Sequence, residues 1–342
     1  MAIVSRNYEN FEDYSALMEL VPRQENLLDQ MGLFEKDYHQ GTLIELERIS
    51  DKIDQMYAVP RDADRQFTGR GESRLEPFKI PFFTLDGTLR PNELQDLREW
   101  GTPDAPATVQ RSVDKIISRI QKGHFELHTK IMYHVLTTGT AYAKGKDGAD
   151  MPEYAADFAA RWGVTRKTAT LDLTNATQDP SVFVEKEVRK HIYDNMGDNS
   201  TSVNLVAIVG SGFFNAFTKH PLVKEAYLNR DGDSAFLTDR ISGNIQRRSW
   251  DFDGVTYIEE PNSALVPRNK AFFFPMGVEG LFRLDYAPAN TLEHANTIAE
   301  EAYLFVEEQR RKIVVESEVS VLGSTTRPEL IVEITGTLPA WA

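Results

Sequence analysis

Eight aliphatic side chains, Val109, Val113, Ile116, Ile117, Ile120, Leu127, Ile131 and Val135, recur at spacings built from three and four residues, which is the period of one helix face. The pattern predicts one long helix over residues 105–138, with Asp104 and Pro106 as its start signal and Gly139 as its stop. At 1.5 Å per residue such a helix spans roughly 50 Å, more than a compact domain of this size normally holds. It reads as a strut. Gly123 falls near its middle, where Gly costs about 1 kcal/mol relative to Ala; it marks either a bending point or a place where a neighbouring element comes close.

Before the strut the chain has little that can bury itself. Residues 1–35 mix polar and apolar positions, with Leu17, Leu20, Val21, Leu27, Leu28 and Leu33 spaced for short helical pieces. They are expected to form an arm. Thr42 to Tyr57 alternates irregularly, and Leu75, Phe78, Ile80, Phe82, Phe83 and Leu85 read as strand. Between these extended limbs lies RDADRQFTGRGESR, which carries Arg61, Arg65, Arg70 and Arg74, three acids, Gly69 and Gly71. This is the composition of a solvated hairpin tip.

After the strut, residues 140–173 predict short strands and turns, and Asp179 with Pro180 opens an amphipathic helix reaching Asn195. SVNLVAIVGS is a continuous apolar run of central-strand type, followed by FFNAFTKHPLVKEAYLNR, a helical pattern interrupted at Pro221. VTYIEE, KAFFFPMG, LFRLDYAP, IVVESEVSVLG and ELIVEITG read as strands, the last two as a terminal pair around the loop Ser324 to Pro328. Helices and strands are segregated, so the fold class is α+β rather than a doubly wound sheet.

Composition narrows the functions. The 342 residues are 41% hydrophobic and 10% aromatic, enough for a large core in two or three units. Without Cys there is no disulfide framework, thiolate nucleophile, zinc ribbon or iron–sulfur cluster. The 38 basic and 52 acidic side chains give a net charge of −14, which repels polyphosphate over most of the surface and argues against a tightly held nucleic acid. The first fifteen residues carry early acids and no apolar block, so no targeting signal is expected and synthesis should be cytosolic. The most apolar run, Val203 to Phe214, is far short of a membrane span.

The candidate chemical sites are incomplete. His124 and His128 are at i and i+4, a spacing that can serve a metal, but in HFELH the Glu126 lies two positions after the first His instead of one. Polar side chains on a helix flank are the simpler account. Gly210-Ser211-Gly212 follows an apolar strand as in a dinucleotide-binding turn, yet Asn215 stands where a third Gly belongs, and a close strand-to-helix turn suffices. Asp231 with Asp233 and Asp251 with Asp253 lack the remaining ligands of a Ca²⁺ loop and read as Asp-Gly turns. No catalytic, cofactor or metal residue is assigned.

The order of arm, hairpin, long helix, mixed α/β region and terminal strands resembles that of the HK97-fold major capsid proteins of tailed bacteriophages over nearly the whole chain. It is closest to the lambda-like branch in VNLVAIVGSGFFNAFTKHPLVKEAYLNR, DGVTYIEEP, KAFFFPMGVEGLFRLDYAPAN and RKIVVESEVSVLGSTTRPELIVEITG. The resemblance implies an N-arm at 1–35, an E-loop at 36–92 with its tip at 61–74, a P-domain at 93–180 containing the spine helix, an A-domain at 181–300 and P-domain return strands at 301–342. It implies a shell of pentamers and hexamers around double-stranded DNA, which it encloses without tight specific binding and without a membrane. It further implies a separate scaffolding protein, a portal and a candidate decoration protein, with assembly in the host cytoplasm and a final place in the virion capsid. The four tip Arg residues would make intersubunit contacts, and Gly123 would be a hinge of the spine helix during maturation. An encapsulin-like cargo shell and a cytosolic nucleotide-binding enzyme are the alternatives.

Overall fold

The computed structural model describes residues 11–13, 26–50, 72–94, 109–196, 203–230 and 248–341. In chain order, the first part contributes β1 (Phe11–Asp13), α1 (Leu27–Gln30), β2 (Glu35–Tyr38), β3 (Leu43–Ser50), β4 (Glu72–Lys79), β5 (Phe82–Thr84), β6 (Gly87–Leu89) and α2 (Pro91–Leu94). The long helix, α3, runs unbroken over Val109–Thr138. Its expected start at 105–108 lies outside the described residues. Its stop is as the sequence predicts: Gly139 is left-handed (φ 71°) and its N–H returns to the Val135 carbonyl at 2.9 Å. Arg166 completes the cap, donating from Nη2 to the Leu136 carbonyl at 3.0 Å and from Nη1 to the Thr137 carbonyl at 3.1 Å. A cation there also faces the negative end of the helix dipole.

Beyond it come α4 (Phe158–Trp162), β7 (Lys167–Asp172) and the helix opened by Asp179, whose carboxylate accepts from Ser181 N–H at 2.9 Å. That helix is not one regular α-helix. It runs as α5 (Pro180–Val184), a π-helical turn at Glu185–Arg189 and α6 (Lys190–Met196), and it buries Val184, Val188 and Ile192 while Val182 is exposed. The remaining elements are β8 (Asn204–Gly210), α7 (Ser211–Thr218), α8 (Pro221–Arg230), β9 (Ser249–Phe252), β10 (Val255–Glu260), β11 (Lys270–Met276), β12 (Phe282–Ala287), β13 (Tyr303–Gln309), β14 (Lys312–Thr325) and β15 (Val332–Thr337).

These strands form two large sheets and one separate hairpin. A seven-stranded sheet has the path β1-β13-β14-β12-β2, with β5 and β6 also pairing with β14. A six-stranded sheet has the order β7-β15-β11-β8-β10-β9, and among the described strands β3 pairs with β4 alone. The expected terminal strand pair is therefore corrected. The fourteen-residue β14 pairs with β13, β12, β5 and β6, whereas β15 pairs with β11 and β7 in the other sheet. The 3₁₀ turn at Pro328–Leu330 stands between them. In the first sheet β12 joins β14, while β7 and β15 complete the sheet containing β8, β10 and β11.

The helix α3 joins the two sheets. Towards its N-terminus, Val113 and Ile120 cluster with Leu89, Leu304, Val306 and Val315 of the seven-stranded sheet. Towards its C-terminus, Ile131, Met132, Val135 and Leu136 enter the principal core with Ala207, Ile208, Phe273 and Val332. One buried polar bond reinforces this second contact, from Tyr133 Oη to Glu260 Oε2 at 2.6 Å. Phenylalanine at 133 keeps the ring volume but withdraws a donor from a buried carboxylate. Tyr133→Phe should lower the unfolding free energy by about 1–3 kcal/mol, measured by chemical denaturation; an unchanged midpoint would show that the bond contributes nothing net.

Candidate assembly site

The hairpin of β3 and β4 is the element that cannot bury itself. Its register places Ile44 opposite Phe78, Leu46 opposite Glu76 and Arg48 opposite Arg74 on one face. Ile44, Leu46 and Phe78 are buried, with the Phe78 ring 5.6 Å from Phe158 and 6.2 Å from Trp162. Further along, the same face turns ionic: Arg48 meets Glu329, and Arg74 and Arg161 share Glu76. The opposite face pairs Glu45 with Pro77 and Glu47 with Leu75, and Leu43 and Leu75 are more than half exposed there.

Of the four tip arginines, Arg61, Arg65 and Arg70 lie outside the described residues. Arg74 is at the described end of β4, exposed, with its Nη2 2.8 Å from Glu76 of its own chain. Gly123 sits within unbroken α3, and a Cβ there would fall 2.5 Å from Leu85 Cδ2, so the β5–β6 connection approaches the helix closely at this point.

His124 departs from the flank reading. It is buried with Nε2 2.6 Å from Ser317 Oγ of β14, and Ser317 N–H donates to Asp86 Oδ1 at 3.2 Å. Burial pushes the imidazole down from 6.5 to about 4. His128 goes elsewhere, its ring 5.9 Å from that of Tyr286. The two imidazoles thus serve different partners. Among the described residues no group of three or more His, Asp or Glu side chains is arranged to hold a metal. The missed signal for His124 was the alternation of β14, which turns Ser317 to the helix side together with Val315 and Val319, both buried.

The Gly210 turn is closed by its own chain. A Cβ on Gly210 would lie 2.2 Å from the Pro267 carbonyl oxygen, and Phe213 N–H donates to the Arg268 carbonyl at 2.9 Å. Backbone of the loop before β11 therefore takes the place a pyrophosphate would need. Asp253 and Gly254, with φ of 52° and 72°, form the two-residue turn between β9 and β10, as an Asp-Gly pair does. Asp231 and Asp233 lie outside the described residues. No described helix is long and apolar enough to cross a membrane.

On the other face of β14, Glu316 is held above the usual carboxylate range by burial and by Asp86, Glu307 and Glu318 nearby. Lys312 on the same strand acts in the opposite direction.

The model of the family described as phage major capsid protein E matches residues 15–336. The chain belongs to that family. It is 27% identical over 348 residues to the major capsid protein of Pseudomonas phage KPP10, covering 96% of this chain and 97% of the relative. The major capsid protein of Salmonella phage Felix O1 is 23% identical, with coverage of 94% and 95%. Among solved structures, the capsid of cyanophage P-SCSP1u aligns with a TM-score of 0.51 at 6% identity over 93% of this chain and 90% of that one. The capsid asymmetric unit of cyanophage Pam1 gives 0.51 at 10% identity, covering 88% of each. This phage major capsid protein has the α+β capsid fold expected from its sequence, builds the homo-oligomeric shell of the virion and has a structural role.

The buried His124 makes stability depend on pH. The unfolded chain takes up a proton near pH 6.5, while the folded chain keeps the imidazole neutral down to about 4. The contribution is complete above pH 6.5 and is lost as pH falls towards 4, by up to about 3 kcal/mol. His124→Gln, which retains a donor towards Ser317, should flatten the fall in unfolding free energy across this window; equal slopes for the two proteins would remove His124 as the cause.

Proposed function

We propose that this capsid protein assembles through its hairpin and arm into pentamers and hexamers that close an icosahedral shell around double-stranded DNA. The observation that carries this reading is the isolated β3–β4 hairpin, half buried at its base and exposed on its outer face, in a chain matched by the capsid family over nearly its full length. A two-stranded hairpin is marginal by itself, and a segment that finds its missing contacts on a neighbour generates rings when repeated. In this reading residues 1–35 are the N-arm, 36–92 the E-loop, 93–180 and 301–342 the P-domain and 181–300 the A-domain. A separate scaffolding protein, a portal and a decoration protein are its partners, and assembly takes place in the host cytoplasm. The protein has no turnover chemistry. Its net charge of −14 keeps the packaged DNA from adhering, and the lambda-like affinity of the sequence belongs to the same reading.

Arg61, Arg65, Arg70 and Arg74 are proposed to dock on acidic surface of an adjacent subunit, giving register more than affinity. Glu307, Glu316 and Glu318, which lie near one another beside Lys312, are carboxylates of the required sign. Co-expression with the scaffolding protein should give particles with fivefold and sixfold rings in negative-stain electron microscopy. Shortening the 61–74 segment should leave the folded monomer and abolish the particles; regular shells from the shortened chain would remove the hairpin as the clasp between subunits.

Gly123 is proposed as the bending point of α3 between a rounded precursor and an expanded shell. Gly123→Ala should stiffen the helix by up to ~1 kcal/mol per subunit, since the Leu85 side chain, 44% exposed, has room to turn away. Precursor shells should then be selectively disfavoured. Cryo-electron microscopy of both particle states decides the point: a helix equally straight through residue 123 in each would eliminate the hinge.

A further inference from the structure

Arg48 stands where the hairpin leaves the body. Behind it, Ile44, Leu46 and Phe78 are buried against the core; at its own level the register partner is Arg74, a like charge. Among the described residues, what holds Arg48 is one carboxylate, with Nη2 donating to Glu329 Oε1 at 2.9 Å. Glu329 is only 6% exposed and lies in the 3₁₀ turn Pro328–Leu330 that leads into β15. The same Oε1 is 3.5 Å from Arg327 Nε, so two cations compete for one oxygen. The turn is itself fixed from below. His191 Nε2 meets the Glu329 carbonyl at 3.1 Å, and Arg327 Nη2 donates to the Asn195 carbonyl in α6 at 2.8 Å.

The contact is incompletely satisfied. Arg48 Nη1 and Glu329 Oε2 are both buried without a hydrogen-bond partner among the described residues, which weakens a buried ion pair relative to a fully bonded one. Its alternative is already in place. If Arg48 withdraws, Glu329 keeps Arg327, so opening strands no carboxylate in the interior, and Arg48 moves to solvent with the limb that carries it. From this geometry we propose that Glu329 and Arg48 form a releasable clasp that sets the angle of the β3–β4 hairpin against the body. Arg327 is the cation that receives Glu329 when the clasp opens. Because the turn bearing Glu329 begins β15, the clasp also ties the hairpin's position to the six-stranded sheet.

The proposal stands on the single chain and does not depend on assembly, so it is tested on the soluble, unassembled protein by hydrogen–deuterium exchange. Arg48→Met keeps the aliphatic stem and removes the charge. It should raise backbone exchange tenfold or more across 43–48 and 74–79 while leaving α3 residues 131–136 and β8 residues 205–210 protected. Glu329→Gln should show the same local pattern. Arg48→Lys, which keeps the cation, should return exchange to within about threefold of wild type, and Arg74→Met, which removes only the exposed pair with Glu76, should not reproduce the effect. Unchanged hairpin exchange in Arg48→Met overturns the clasp. So does an increase spread evenly over the chain, or a Lys variant that behaves like the Met variant.

Discussion

A thirty-residue helix with one continuous apolar stripe needs cover along about 45 Å, and few single elements are that long. The strand β14 is one. Its fourteen residues extend about 46 Å, and the two elements advance in step. Ile116 lies against Gly87, the register partner of Val315; His124 meets Ser317; Ile131 and Val135 close over Gly323. From the first contact to the last the helix and the strand each rise by about 25 Å. The rest of the fold follows from this pairing, because β14 recruits four strands and the helix's C-terminal turns reach beyond it into the second sheet.

That extension explains where polar groups are buried. To the shape-fit of apolar packing a buried hydrogen bond adds a directional constraint, because it has one geometry and is costly to leave unmade. Along α3 such bonds stand at separate levels: His124 to β14, Tyr133 to the end of β10, and the last carbonyls to Arg166. They fix the axial position of the helix against the seven-stranded sheet, the six-stranded sheet and the segment before β7 respectively. The cost of burial is visible in the depressed His124.

What was legible in the sequence was what depends on local period. The stripe of α3 and its Gly139 stop, the alternation of β14, the apolar run of β8 and the break at Pro221 all appear where residue spacing places them. Partner choice was not legible. Nothing local to IVVESEVSVLG and ELIVEITG says that they enter different sheets, since both alternate and a short polar loop joins them; the separation comes from the helix, which requires cover on both sides of the Pro328 turn. The burial of His124 was hidden for the same reason, because a His beside Gly123 on a polar flank gains its meaning only from Ser317, 193 positions away. In the hairpin, the change from Ile44 and Leu46 to Arg48 on one face marked where burial ends, but not that Glu329 would receive the cation.

The hairpin has the opposite physics to the helix. From Val113 onward helix α3 packs its apolar stripe within the chain, whereas β3 and β4 bury only the base of one face and leave Leu43 and Leu75 exposed on the other. At the level of Arg48 the hairpin's internal contacts change from apolar packing to charge. Its direction is set by whatever holds it at that level, and at Arg48 the holder is an ion pair with vacant bonding capacity on both partners rather than interlocked apolar side chains. Apolar packing at the same place would fix one angle, because close-packed interiors deform little. An ion pair with a second cation beside it can change partners. A shell built from copies of one chain needs an internal frame that stays constant and a connecting limb that can adjust its angle; here the apolar stripe supplies the first, and the point where it gives way to charge supplies the second.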